Sequence, residues 1–142
     1  MMTIYKPHEM ADIAEKHDAC DKALEYLRSL PEEVTFEELS DHEFAPEWAR
    51  WWSRNIIRGR WIEAEPIIMK SPWASCRYAT YILKGRWEEA EPVIMQDPWA
   101  AFSYATRVLK GRWHEAEPFI MKDPWASSRY ATYILKGRWE DA

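Results

Sequence analysis

Lys84-Gly85-Arg86-Trp87-Glu88-Glu89-Ala90-Glu91-Pro92-Val93-Ile94-Met95-Gln96-Asp97-Pro98 decides the fold, because nearly the same run recurs on both sides of it. The chain has four glycines, Gly59, Gly85, Gly111 and Gly137, each 26 residues from the next. Trp61, Trp87, Trp113 and Trp139 each follow their glycine by two residues, and Pro46, Pro72, Pro98 and Pro124 precede it by thirteen. Residues 72–90 and 124–142 differ at two of nineteen positions, Cys76 against Ser128 and Glu89 against Asp141. Identity of that extent marks tandem duplication. The units are 46–71, 72–97, 98–123 and a truncated 124–142.

Each unit reads as two helices. The longer begins at Ser71-Pro72, Asp97-Pro98 or Asp123-Pro124, where a side-chain acceptor at the N-cap precedes proline at the first helical position. It runs about thirteen residues to Lys84, Lys110 or Lys136 and stops at glycine, which is expected to supply a left-handed cap. Ala74, Ser75, Tyr78, Ala79, Ile82 and Leu83 fall on one broad helical face, as do Trp52, Ile56 and Ile57, or Tyr104, Ala105, Val108 and Leu109. The shorter element, Arg86 to Met95, places Trp87, Ala90 and Ile94 on one side. Pro92, repeated at Pro66 and Pro118, either kinks this helix or breaks it into a turn and a second piece; the kinked form is the expectation. Such a unit cannot shield its own apolar side, so neighbours must stack. The expected fold class is all-α, a short αα-hairpin repeat solenoid with an N-terminal helical cap, the two parts packed as a single domain.

Residues 1–45 form the cap. Asp18 to Leu30 reads as an amphipathic helix with Ala19, Cys20, Ala23, Leu24, Leu27 and Leu30 inward, and Pro31 stops it. Thr35-Phe36-Glu37-Glu38 is a capping box opening a short helix, and residues 8–16 add a turn or two. Trp48, Trp51 and Trp52 replace Ala74, Arg77 and Tyr78 of the next unit. An aromatic at 51 implies that the N-terminal helices fold over it.

At 142 residues, with 47% apolar and 30% charged side chains, the chain suits a globular domain rather than disorder. Two cysteines, Cys20 and Cys76, make neither a disulfide scaffold nor a four-cysteine metal site, and fit a reduced cytoplasmic chain. No apolar run is long enough to span a membrane, and no signal peptide opens the sequence. The net charge of -5 divides unevenly: residues 1–45 carry 4 basic and 12 acidic groups, residues 46–142 carry 15 and 12.

Enzyme signatures are missing: no phosphate-binding glycine loop, no G-x-S-x-G elbow, no HExxH. His114-Glu115-Ala116-Glu117 lacks the second histidine and reads as solvent-facing. The pairs Glu63/Glu65, Glu89/Glu91 and Glu115/Glu117 recur in every full unit, whereas a catalytic pair is needed once. They are expected to bond Arg60, Arg86 and Arg112 or backbone groups. No cofactor or metal is expected.

On the long helix Trp73, Arg77 and Tyr81 form a stripe beside the inward face, matched by Trp99, Ser103 and Arg107 and by Trp125, Arg129 and Tyr133. Stacked units set these stripes side by side. Trp, Tyr and Arg are the side chains that most often anchor protein interfaces, so Trp73, Arg77, Tyr81, Trp99, Arg107, Trp125, Arg129 and Tyr133 are the candidate protein-binding residues. The same chemistry can stack single-stranded bases, but a charge of +3 over the repeats is thin for nucleic acid. A third possibility is a small enzyme with its site between cap and repeats, near His42, Trp48, Trp51 and Trp52. The open C-terminal half-repeat is a candidate homodimer contact.

Lys84-Gly85-Arg86-Trp87-x-Glu89-Ala90-Glu91-Pro92, with Met95-x-Asp97-Pro98, resembles tandem units of tailed-bacteriophage and bacterial proteins across 46–142. Gly85, Trp87, Glu89-Ala90 and Asp97-Pro98 also resemble the second helix of a tetratricopeptide repeat, although the period is 26 rather than about 34 and Pro92 is foreign to that family. Residues 19–30 with the Trp48/Trp51/Trp52 cluster look like a leader of small phage and bacterial proteins. The phage resemblance implies an accessory protein that binds a host protein in the host cytoplasm and interferes with a host enzyme or defence complex by steric blocking.

Overall fold

The computed structural model describes residues 3–135. In the cap, α1 (Pro7–Lys16) packs against α2 (Asp21–Ser29), and α3 (Phe36–Leu39) follows. Two-residue strands β1 (Ile4–Tyr5) and β2 (Val34–Thr35) pair antiparallel, Ile4 opposite Thr35 and Tyr5 opposite Val34. The capping box forms as read: Thr35 accepts from the Glu38 N–H while the Glu38 side chain accepts from the Thr35 N–H. Helix α2 starts later than expected. Asp18 is left-handed, with φ 62°, and Cys20 is exposed at the N-cap rather than facing inward.

The long helices are α4 (Ala45–Trp52), α6 (Pro72–Tyr78), α8 (Pro98–Tyr104) and α10 (Pro124–Tyr130). Each packs on the next, and the short helices α5 (Glu65–Ile68), α7 (Glu91–Ile94) and α9 (Glu117–Ile120) pack between consecutive long ones. The fold is therefore an all-α repeat solenoid with a helical cap. The N-caps are the expected acceptors. Ser71 Oγ accepts from the Ala74 N–H, and Asp97 and Asp123 each accept two backbone N–H bonds.

Two local expectations are corrected. The short element is broken rather than kinked. A 3-10 turn, Glu88–Ala90, runs straight into α7, so Pro92 lies in the first helical turn, where its missing N–H removes no bond. Pro66 and Pro118 do the same. The left-handed residue ending the first three long helices is the basic one before glycine: Arg58, Lys84 and Lys110 have φ of 59°, 55° and 57°. A Cβ added to Gly59 or Gly111 would meet nothing within 4 Å, and nothing in the structure explains why glycine stands there. Gly137 and Trp139 lie outside the described residues.

The long helices also widen into π turns at Ser53–Ile57, Ala79–Leu83, Ala105–Leu109 and Ala131–Leu135. Thr80, Thr106 and Thr132 hydroxyls donate to the carbonyls of Cys76, Phe102 and Ser128 four residues back, and the Asn55 amide does so to Trp51. This side-chain competition for the i−4 carbonyl loosens the α ladder where it widens. The core repeats with the sequence. Ala64, Ala90 and Ala116, then Ile68, Ile94 and Ile120, then Tyr78, Tyr104 and Tyr130 are fully buried, with Trp61, Trp87 and Trp113 beside them. Ile57, placed inward by its spacing, is 42% exposed, and Met121 is exposed where Met69 and Met95 are half-buried.

Candidate functional site

The second carboxylate of each Glu-x-Glu pair turns inward. Arg86 Nε and Nη2 reach Glu91 Oε2 and Oε1 at 3.0 and 2.9 Å, and the Tyr104 hydroxyl of the next unit donates to Oε2 at 2.6 Å. That hydroxyl also accepts from the Trp87 N–H at 2.8 Å. The same set occurs as Arg60, Glu65, Tyr78 and Trp61, and as Arg112, Glu117, Tyr130 and Trp113. Burial alone would raise the Glu91 carboxyl. The hydrogen bonds from Arg86 and Tyr104 and the Arg86 charge outweigh it and hold the group below its ordinary value. Glu63, Glu89 and Glu115 stay exposed. The carboxylates of a pair thus face different surroundings, and the buried one joins unit to unit. Trp52 fills the tyrosine slot of the first unit, where no preceding Arg–Glu pair waits for a hydroxyl, and packs on Trp48 at 5.3 Å between ring centroids.

The stripe is brought together along the long helices. Trp73, Arg77, Tyr81, Trp99, Arg107 and Tyr133 line one open groove of about 510 Å³, with Cys76, Thr80, Phe102, Ser103 and Thr106. Tyr81 is its centre. The Arg54 guanidinium lies 3.8 Å over its ring, and Arg107 Nη1 donates to its hydroxyl at 3.0 Å. Arg77 stacks on Trp73 at 5.4 Å, and Phe102 bridges Trp99 and Tyr133. None of the described residues lining this groove is a carboxylate, and no ion pair to Arg54, Arg77 or Arg107 forms among the described residues. Trp125 and Arg129 lie beyond the lining. Trp125 is 75% exposed, and Arg129 reaches the Tyr133 hydroxyl at 3.4 Å. Trp73 and Trp99 are half-buried against the core.

Arg54 and Phe102 were not foreseen. Each fills a variable slot, opposite Thr80 and Cys76 respectively, and the alignment of units alone could have exposed both. Cys76 is buried, and burial pushes its thiol up, which disfavours the thiolate form that a nucleophile requires. His114 is exposed. Among the described residues no three His, Cys, Asp or Glu side chains are grouped to hold a metal ion, and no helix is long and apolar enough to cross a membrane. The half-repeat read as a homodimer contact lies partly outside the described residues. Between cap and repeats a second cleft, of about 830 Å³, is lined by His42, Trp48 and Trp51 as that reading placed them, with Trp52 buried behind its wall.

A helical-repeat solenoid with one arginine-and-aromatic groove is the class that fold and site define. In comparisons with known proteins, no family model, no curated protein and no solved structure matches the chain.

Proposed function

We propose that the repeat stack is a protein-binding module that takes an acidic segment of a partner protein into the groove around Tyr81 and acts by covering the partner's surface. Repeat solenoids commonly present such continuous binding surfaces. The observation that carries the reading is Tyr81 held between Arg54 and Arg107, in a groove whose described lining has no carboxylate. Arginines without an internal acid are available to a partner's carboxylates, which steers encounter and fixes register, and the aromatics beside them supply area at small entropic cost. Trp73, Arg77, Trp99 and Tyr133 extend the surface along the stack, with Trp125 and Arg129 at its far end. The likeness of the unit to phage tandem repeats supports a finer reading, a phage accessory protein in the host cytoplasm that blocks a host enzyme or defence complex.

The test is the double substitution Tyr81→Ala with Arg107→Ser, made for capture of partners from bacterial lysate. Loss of the captured protein at unchanged helicity and melting temperature is expected. Unchanged capture removes the groove from the interface. Capture of nucleic acid, with affinity falling steeply as salt rises, replaces the protein-binding reading with a nucleic-acid one.

A further inference from the structure

The groove around Tyr81 holds more positive charge than one partner carboxylate can match. Arg77 and Arg107 line it, Arg54 lies over the Tyr81 ring, and no carboxylate stands among the described lining residues. All three arginines are exposed. Arg107 spends one donor of its guanidinium fork on the Tyr81 hydroxyl, while Arg54 and Arg77 lie against aromatic rings and form no ion pair among the described residues. A fourth guanidinium adds to the excess. Burial, and then the charges of Arg77 and Arg54, lower the pKa of half-buried Arg50, with Glu47 and Tyr81 opposing them. Glu47 lines the neighbouring cleft and accepts from the Ser71 hydroxyl rather than lining the groove. A carboxylate brings a single negative charge. A phosphate monoester brings about 1.5 to 2 at pH 7, on oxygens that the planar arginine fork meets in pairs.

The aromatic walls narrow the choice of what carries that charge. Trp73, Trp99 and Phe102 are half-buried, and Phe102 meets Trp99 edge-on at 6.1 Å and Tyr133 at 6.2 Å between ring centroids. At about 510 Å³ the groove is within the range of sites that take one ligand-sized group. An aspartate or glutamate satisfies the arginines and leaves the rings bare, and an unmodified aromatic does the reverse. A phosphate carried on an aromatic ring satisfies both at once.

Resting on the reading that the groove takes an acidic segment of a partner protein, we propose that the acidic group it reads is a phosphorylated tyrosine, its ring against the aromatic walls and its phosphate held by Arg77 and Arg107. A mononucleotide offers the same pairing of ring and phosphate. The peptide is favoured because the stripe continues past the groove to Trp125 and Arg129. That surface serves the residues flanking a phosphotyrosine, and a free nucleotide leaves it bare.

The test is titration calorimetry on the whole chain with a short alanine–serine peptide whose central residue is phosphotyrosine, tyrosine, phosphoserine or glutamate, and with thymidine monophosphate. The phosphotyrosine peptide is expected to bind one per chain. The tyrosine peptide should bind about tenfold more weakly or worse, having lost the hydrogen bonds to charged donors. The phosphoserine and glutamate peptides should each be about tenfold weaker for want of a ring to bury, and the nucleotide should also be weaker. Arg77→Ser should weaken the phosphotyrosine peptide about tenfold; Ser103 already stands at this slot in the next unit, so the fold accepts the change. Absence of saturable phosphotyrosine binding, equal binding of the phosphoserine or glutamate peptide, tighter binding of the nucleotide, or an unaltered affinity in Arg77→Ser each overturns the proposal. Equal binding of the glutamate peptide does so while leaving the acidic-segment reading in place, and that reading fails separately, in the lysate capture.

Discussion

The Tyr104 hydroxyl donates to Glu91 Oε2 at 2.6 Å and at the same time accepts from the Trp87 N–H, so one phenol fastens the start of one repeat to the end of the one before it. Tyr78 and Tyr130 make the same tie to Glu65 and Glu117. Every member of the set depends on the others. The carboxylate is tolerable in the core because Arg86 and Tyr104 satisfy it, and the Trp87 N–H is tolerable because the phenol oxygen accepts from it.

Tyr104→Phe keeps the buried ring but deprives Glu91 and the Trp87 N–H of a partner. It should lower stability by ~2 kcal/mol, read in urea as a lower midpoint at unchanged slope. Replacing Phe102, half-buried on the groove, with leucine should cost less than that.

The ties also set a pH window. Native Glu65, Glu91 and Glu117 hold their carboxyls below the ordinary 4.5, burial being outweighed by the Arg and Tyr hydrogen bonds. The stability they give is complete above 4.5 and is lost as pH falls through the lowered native values, because the unfolded chain takes up protons first. At the alkaline end, burial and the neighbouring carboxylates raise Tyr78 and Tyr104 above the ordinary 10.0 and push Tyr130 up to about 12. That contribution is complete below pH 10 and is lost as pH rises toward 12. Thermal melts across pH should show a plateau between these limits, with the acid shoulder reduced in Glu91→Gln.

The helix ends make a third prediction. Lys84 holds a φ of 55°, a conformation strained for any side chain with a Cβ, whereas a Cβ on Gly85 would meet only the Leu83 carbonyl oxygen at 4.0 Å. Lys84→Gly should raise stability by ~0.5–1 kcal/mol. Gly85→Ala should change it by less than ~0.5 kcal/mol. The reverse order would mean that glycine is the strained position.

Much of the architecture was legible because the chain states it several times over. The glycine and tryptophan period gave the units, and Ser71, Asp97 and Asp123 before proline gave the long-helix starts. The sidedness of Tyr78, Tyr104 and Trp87 followed from helical spacing. The π turns were not legible, since the back-bonding of Asn55, Thr80, Thr106 and Thr132 to carbonyls four residues earlier that accompanies them is a choice no periodicity records. Spacing also could not tell which Glu of each pair turns inward. That depends on Tyr104 of the next unit, 13 residues beyond Glu91, a tertiary contact. At the groove the stripe was readable from Trp73, Arg77 and Tyr81. The guanidinium stacked on the Tyr81 ring is that of Arg54, reaching across from the preceding unit, and this contact is visible only once the units are stacked.

The binding account is tested most directly by a photo-reactive phenylalanine analogue at Ser103, on the groove wall, with the same residue at exposed Glu88 as the control. Irradiation in bacterial lysate should give a protein adduct from position 103 and none from 88, and the adduct should vanish when Tyr81→Ala and Arg107→Ser are combined with it. A nucleic-acid adduct at 103, equal labelling from both positions, or no adduct at 103 would contradict the groove as a protein-binding surface.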